Sequence, residues 1–146
     1  VKEFEEVLVP VDGSESAERA ALFGARLACA LECTLTFTHV VALTPESVMA
    51  MSKMSQEEIQ HHQQQTAGPL LEQAEAAIAD HDIRVTAELL VLVGDPAEEI
   101  LNYLDKHPKT LVVMGRRGQS AIRRLAMGGV SDKIMRYAEG PVTLVT

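Results

Sequence analysis

Two cysteines, Cys29 and Cys33, are all that the 146 residues hold, and their C-x3-C spacing falls across the predicted end of a helix. Two thiols cannot build the disulfide framework that staples small secreted domains. They read as packing residues, with a redox pair as the alternative. Long apolar runs are missing too: no stretch approaches the roughly 18 residues of a membrane-spanning helix. The opening Val1-Lys2-Glu3-Phe4-Glu5-Glu6 lacks the basic-then-apolar pattern of a secretory signal. The expectation is a cytoplasmic protein with no direct membrane insertion. Basic residues are in the minority, 13 against 21 acidic, for a net charge of −8. Phosphate backbones are gripped by clustered Lys and Arg, so no nucleic-acid partner is expected. An acidic surplus of this kind favours solubility and suits a salty cytoplasm.

Apolar residues are plentiful, at 47% of the chain, which excludes general disorder. A chain of this length buries roughly two thirds of its unfolded surface without covalent staples, so a single domain over residues 1–146 is expected. Charge is unevenly spread. Residues 106–131 contain no Asp or Glu, yet hold Lys106, Lys109, Arg116, Arg117, Arg123 and Arg124. A purely basic segment in an acidic protein reads either as a place where an anion is met or as a solvated face.

Hydrophobic patterning predicts alternating strands and helices. Val7-Leu8-Val9-Pro10-Val11 is a short apolar run closed by Asp12-Gly13-Ser14, a turn and helix-start signal. A helix follows to about Leu31, with Ala20, Phe23, Gly24, Leu27 and Leu31 on one face and Glu15 and Glu18 in its first turn. Residues 34–41 (TLTFTHVV) predict a second strand. The polar 44–68 stretch begins as a mobile loop, and a helix is expected over about 55–80, broken near Gly68-Pro69. Residues 83–93 hold a third strand, and Gly94-Asp95-Pro96 starts another helix with Pro near its first position. Residues 110–114 form a fourth strand. Val130, Ile134 and Tyr137 stripe the last helix, and residues 141–146 (Pro141-Val142-Thr143-Leu144-Val145-Thr146) form a fifth strand. Short apolar strands alternating with helices imply an α/β fold, an open twisted parallel sheet with helices on both faces. Right-handed crossovers bring every strand's C-terminal end to one edge, where such sheets bind ligands at the point of reversed strand order.

Chemistry concentrates after the fourth strand. Gly115-Arg116-Arg117-Gly118 is followed by nine residues and then by Gly128-Gly129-Val130-Ser131 at the start of the last helix. Glycine after a strand lets backbone N–H groups approach phosphate oxygens with no Cβ in the way. A helix start adds unpaired N–H donors and the positive end of the helix dipole, and the arginines neutralise charge. The alternative is that these glycines only shape turns. A P-loop would need G-x4-G-K-[ST], and a dinucleotide fingerprint would need G-x-G-x-x-G after the first strand; neither run is present.

VVMGRRG, nine residues, then GGVSDKIMRYAEGPVTLV resembles the C-terminal signature of the universal stress proteins, whose ATP-binding branch carries G-x2-G-x9-G-[S/T]. EEVLVPVDGSESAERAALFGARLA is similar to that family's opening strand, Asp-containing turn and first helix, and VGDPAEEIL to its G-x-P-x-x-x-I element. The resemblance covers the chain except about residues 45–65. It implies a Rossmann-like, adenine nucleotide alpha hydrolase-like sheet of five parallel strands in the order 3-2-1-4-5, dimerising through the fifth strand, residues 141–146. It implies ATP as ligand, with Pro10, Val11, Asp12 and Val40 on the adenosine side. Met114, Gly115, Arg117 and Gly118 then flank the ribose and α-phosphate, and Gly128, Gly129, Val130 and Ser131 hold the outer phosphates. The family's Ser or Thr after the third glycine is Gly129 here, which removes one hydroxyl donor; Ser131 is the candidate replacement.

Three functions follow as alternatives. One is a regulatory ATP-binding homodimer in the stress response, whose occupancy alters assembly or binding to a partner such as a membrane transporter. Another is a slow ATPase or self-phosphorylating enzyme, with Mg²⁺ on the phosphates, Asp12 helping to place it and Ser131 accepting phosphate. The third is a structural dimer without nucleotide. No nucleophile–base pair stands out, so no catalytic residue is assigned. His61 and His62 read as surface residues rather than metal ligands, and His39 as strand packing or a nucleotide contact. Met49, Met51 and Met54 read as loop contacts or a partner surface.

Overall fold

The computed structural model describes residues 3–116 and 129–146. Five strands, β1 (Glu6–Pro10), β2 (Thr34–Ala42), β3 (Ala87–Gly94), β4 (Thr110–Gly115) and β5 (Val142–Val145), form one sheet in the order β3-β2-β1-β4-β5. Every neighbouring pair is parallel. The helices are α1 (Glu15–Leu31), α2 (Pro45–Met51), α3 (Gln56–Asp80), α4 (Pro96–Lys106) and α5 (Gly129–Tyr137). The strand order agrees with the sequence reading.

The central strands are apolar on both sides because both faces are covered. Val7, Val9, Leu35, Phe37, Leu111 and Val113 face α1 and α3; Leu8, Val40, Val112 and Met114 pack with Ala97 and Ile100 of α4 and Ile134 of α5. No helix among the described residues is long and apolar enough to cross a membrane.

Four details depart from the expected pattern. The buried stripe of α1 is made of Ala17, Ala20, Ala21, Gly24, Ala25 and Ala28, while Phe23 and Leu31 are exposed. Close approach is the cause: a Cβ on Gly24 would stand 2.5 Å from Val9 Cγ2, so only small side chains fit beneath this helix. The segment expected as a loop after β2 contains α2, started by a capping box between Thr44 and Ser47 with Pro45 in its first turn. Helix α3 runs through Gly68-Pro69 without a break. Pro69 forfeits one backbone bond, yet Ala67, Leu71, Ala74 and Ile78 are buried on both sides of it and keep the helix on the sheet. Tyr137, expected on the packed stripe of the last helix, is exposed.

Candidate functional site

The crevice begins where β1 and β4 part. They are register partners from Glu6↔Thr110 to Leu8↔Val112, whereas β1 continues to Pro10 and β4 to Gly115. This is the point where chain order reverses across the sheet, with β2 on one side of β1 and β4 on the other. Parallel sheets of this topology open at that edge because the flanking helices diverge to opposite faces.

One wall is the turn after β1. The Ser14 N–H donates to Asp12 Oδ1 at 3.0 Å, and Gly13 takes φ 83°, a left-handed conformation suited to glycine. The Ser14 hydroxyl then caps α1 by accepting from the Ala17 N–H at 3.2 Å. Val11 is held by both backbone groups: its N–H donates to the Thr38 carbonyl at 2.8 Å, and its carbonyl meets His39 Nδ1 at 2.8 Å.

The other wall is the end of β4 and the start of α5. The Arg116 N–H donates to the Val145 carbonyl at 2.8 Å, and the Ser131 hydroxyl donates to the Arg116 carbonyl at 2.7 Å. The chain that leaves the sheet after Gly115 thus returns to the same place at Ser131 in α5. The two ends of the glycine-bearing segment stand together at the reversed-order edge. Arg117, Gly118 and Gly128 lie outside the described residues.

Of the expected site residues that are described, several have side chains turned into the core: Val11, Val40, Met114 and Ser131 are all buried. Such residues can present only backbone groups to a ligand. Pro10 is half-buried and Gly129 is exposed. Gly115 has a packing role: a Cβ there would stand 2.8 Å from the Ser16 carbonyl carbon and 2.9 Å from the Ala17 nitrogen. Its absent side chain admits the first turn of α1 against β4. Gly129 is the opposite case, with nothing among the described residues within 4 Å of where its Cβ would stand. The Ser131 hydroxyl, read from sequence as a substitute phosphate donor, gives its proton to Arg116 and fastens α5 to the end of β4.

A polar cluster at the other edge of the sheet was not foreseen. The Glu6 carboxylate accepts from Thr36 Oγ1 at 2.6 Å, from Thr110 Oγ1 at 2.8 Å and from the Tyr103 hydroxyl at 2.8 and 2.9 Å. The Tyr103 ring stacks on His107 with centroids 3.9 Å apart. Burial, then the hydrogen bond and negative charge of Glu6, raise the Tyr103 phenol above its ordinary range. The sequence signal was a charged residue opening an apolar strand, with threonines on the two strands beside it. His61 and His62 are exposed, and no cluster of three or more His, Cys, Asp or Glu suited to a metal occurs among the described residues.

Residues 3–146 match the universal stress protein family. A relative in Bacillus subtilis, universal stress protein YxiE, is 28% identical, the alignment covering 97% of this chain and 99% of that protein. Among solved structures, universal stress protein UspA from Lactobacillus plantarum superposes with a TM-score of 0.74 at 24% identity, covering 98% of each chain. A universal stress protein from Archaeoglobus fulgidus in complex with dAMP superposes with a TM-score of 0.67 at 19% identity, covering 100% of each chain.

Proposed function

The chain belongs to the universal stress protein family, and on that premise we propose that it is a regulatory protein binding ATP at the β1–β4 crevice, its occupancy altering assembly or partner contacts. The observation that carries this reading is the Ser131–Arg116 bond, which brings the start of α5 to the end of β4 at the reversed-order edge. A helix start, a parting of strands and a basic segment free of carboxylates together suit a phosphate chain. The dAMP bound to the Archaeoglobus fulgidus relative supports an adenine nucleotide as the ligand class.

In this reading Pro10, Val11, Asp12 and Val40 face the adenosine, the last three chiefly through backbone and, for Asp12, a carboxylate. Met114, Gly115, Arg117 and Gly118 flank the inner phosphate; Gly128, Gly129 and Val130 offer backbone N–H groups to the outer ones. Ser131 acts as a positioning residue. Mg²⁺ would accompany the triphosphate, with Asp12 as the side chain suited to orient its water shell. We infer a cytoplasmic homodimer built on the β5 edge, acting on a partner protein of the stress response, with a membrane transporter as one such class.

Mass spectrometry of the ligand released from freshly purified protein tests the reading. An adenine nucleotide at near-stoichiometric yield is expected. A protein that carries none and that, in calorimetry, binds NAD more tightly than ATP contradicts it.

A further inference from the structure

The turn after β1 is tied to β2 in an unusual way. Thr38 directs its carbonyl toward β1, where it accepts from the Val11 N–H. By strand alternation Val40, two residues on, directs its own peptide N–H and C=O to the same side. The next rung of a parallel ladder would join the Val40 N–H to the Val11 carbonyl. Among the described residues no such backbone bond forms; the Val11 carbonyl is met by His39 Nδ1 at 2.8 Å. A carbonyl only accepts, so His39 carries its proton on Nδ1.

We propose that His39 is a positioning residue for base recognition: by holding the Val11 carbonyl it replaces the ladder rung, keeps that carbonyl off the Val40 N–H, and leaves the Val40 peptide open to the edge of a purine. This rests on the adenine-nucleotide reading above. An N–H and a C=O from one extended residue match a base that pairs an acceptor nitrogen with an amino donor, as adenine does. Hypoxanthine carries N1–H and O6 in those places and presents the reversed pattern, so the same peptide rejects it. Asp12 follows Val11 directly, and its carboxylate is fixed by the Ser14 N–H, so the ring also sets where that carboxylate stands.

The test compares adenosine and inosine binding by calorimetry in the full chain, in His39→Phe, which keeps a ring but loses the donor, and in His39→Asn, whose amide N–H lies near the position of Nδ1. Adenosine affinity is expected to fall about tenfold in H39F, the loss of one hydrogen bond's worth of binding. Its preference over inosine is expected to shrink, and H39N is expected to restore most of both. A role in stability alone would leave the adenosine-to-inosine ratio unchanged, and that outcome overturns the proposal, as does H39N behaving like H39F. Wild-type protein that binds neither nucleoside, nor ATP, overturns the nucleotide reading itself. Nitrogen-15 NMR of the wild-type ring needs no variant: a proton on Nδ1 is expected, and a ring protonated on Nε2 alone overturns the contact on which the role depends.

Discussion

Gly129 and Gly115 belong to the same sequence motif and answer to different physics. Among the described residues nothing stands within 4 Å of a Cβ at Gly129, so Gly129→Ser puts a hydroxyl into α5 without displacing any of them. The expected outcome is an unchanged melting temperature and ATP binding tighter by up to about 1.5–3 kcal/mol, the range for a hydrogen bond to a charged group. AMP should gain less, since this residue is assigned to the outer phosphates. Gly115→Ala places a methyl within 3 Å of the backbone of Ser16 and Ala17. Backbone cannot step aside as a flexible side chain can, so thermal or urea unfolding of the ligand-free protein should show a loss of about 1–3 kcal/mol. A Gly115→Ala protein as stable as the parent would contradict the packing role of this glycine between β4 and α1.

At the scale of elements, the Glu6 cluster joins β1, β2, β4 and α4 through one carboxylate. Tyr103→Phe removes one donor while Thr36 and Thr110 remain, so chemical denaturation should report a loss of about 1.5 kcal/mol. The same contact gives a pH dependence. An unfolded chain releases the phenol proton near its ordinary value of about 10, whereas the native protein holds it to higher pH. Above about pH 10 the unfolded state therefore binds fewer protons than the native one, and stability falls as pH rises. Tyr103→Phe should flatten that alkaline loss, which unfolding curves on either side of pH 10 will show. How far elements could be read from sequence varied with the source of their stability. The strands were legible because each is a short apolar run bounded by turn residues. The packed face of α1 was legible in part: Ala20, Gly24 and Leu27 lie on it, but Phe23 and Leu31 are exposed, because periodicity favours large side chains and the close approach at Gly24 admits only small ones. Helix α2 was hidden by its brevity and polarity, though the Thr44–Ser47 capping box was present in the letters. Pro69 misled in the opposite sense: its penalty is local, while the burial of Ala67, Leu71 and Ala74 spans the site of the missing bond.

For the whole molecule, the sheet has two edge strands, β3 and β5. All four residues of β5 are half-buried, and exposed edges of this kind are normally covered or charged. Light scattering should find a dimer, and the double change Val142→Lys with Leu144→Lys should yield a monomer; a monomeric parent would refute the assignment. Of the candidate site, the reversed strand order at β1 and β4 was legible through the family resemblance, and the structure brings Ser131 of α5 to the end of β4 there. The site's chemistry was less so, because Val11, Val40 and Met114 bury their side chains and leave only backbone at the crevice, which no residue letter announces. The central claim is that the segment between β4 and α5 cradles the phosphates of ATP. Calorimetric titration of ATP into the parent protein and into Gly128→Val tests it most directly. A valine there is expected to abolish most ATP affinity, with circular dichroism and melting unchanged and AMP affected much less. Normal ATP binding by the valine variant would place the nucleotide elsewhere and contradict the account.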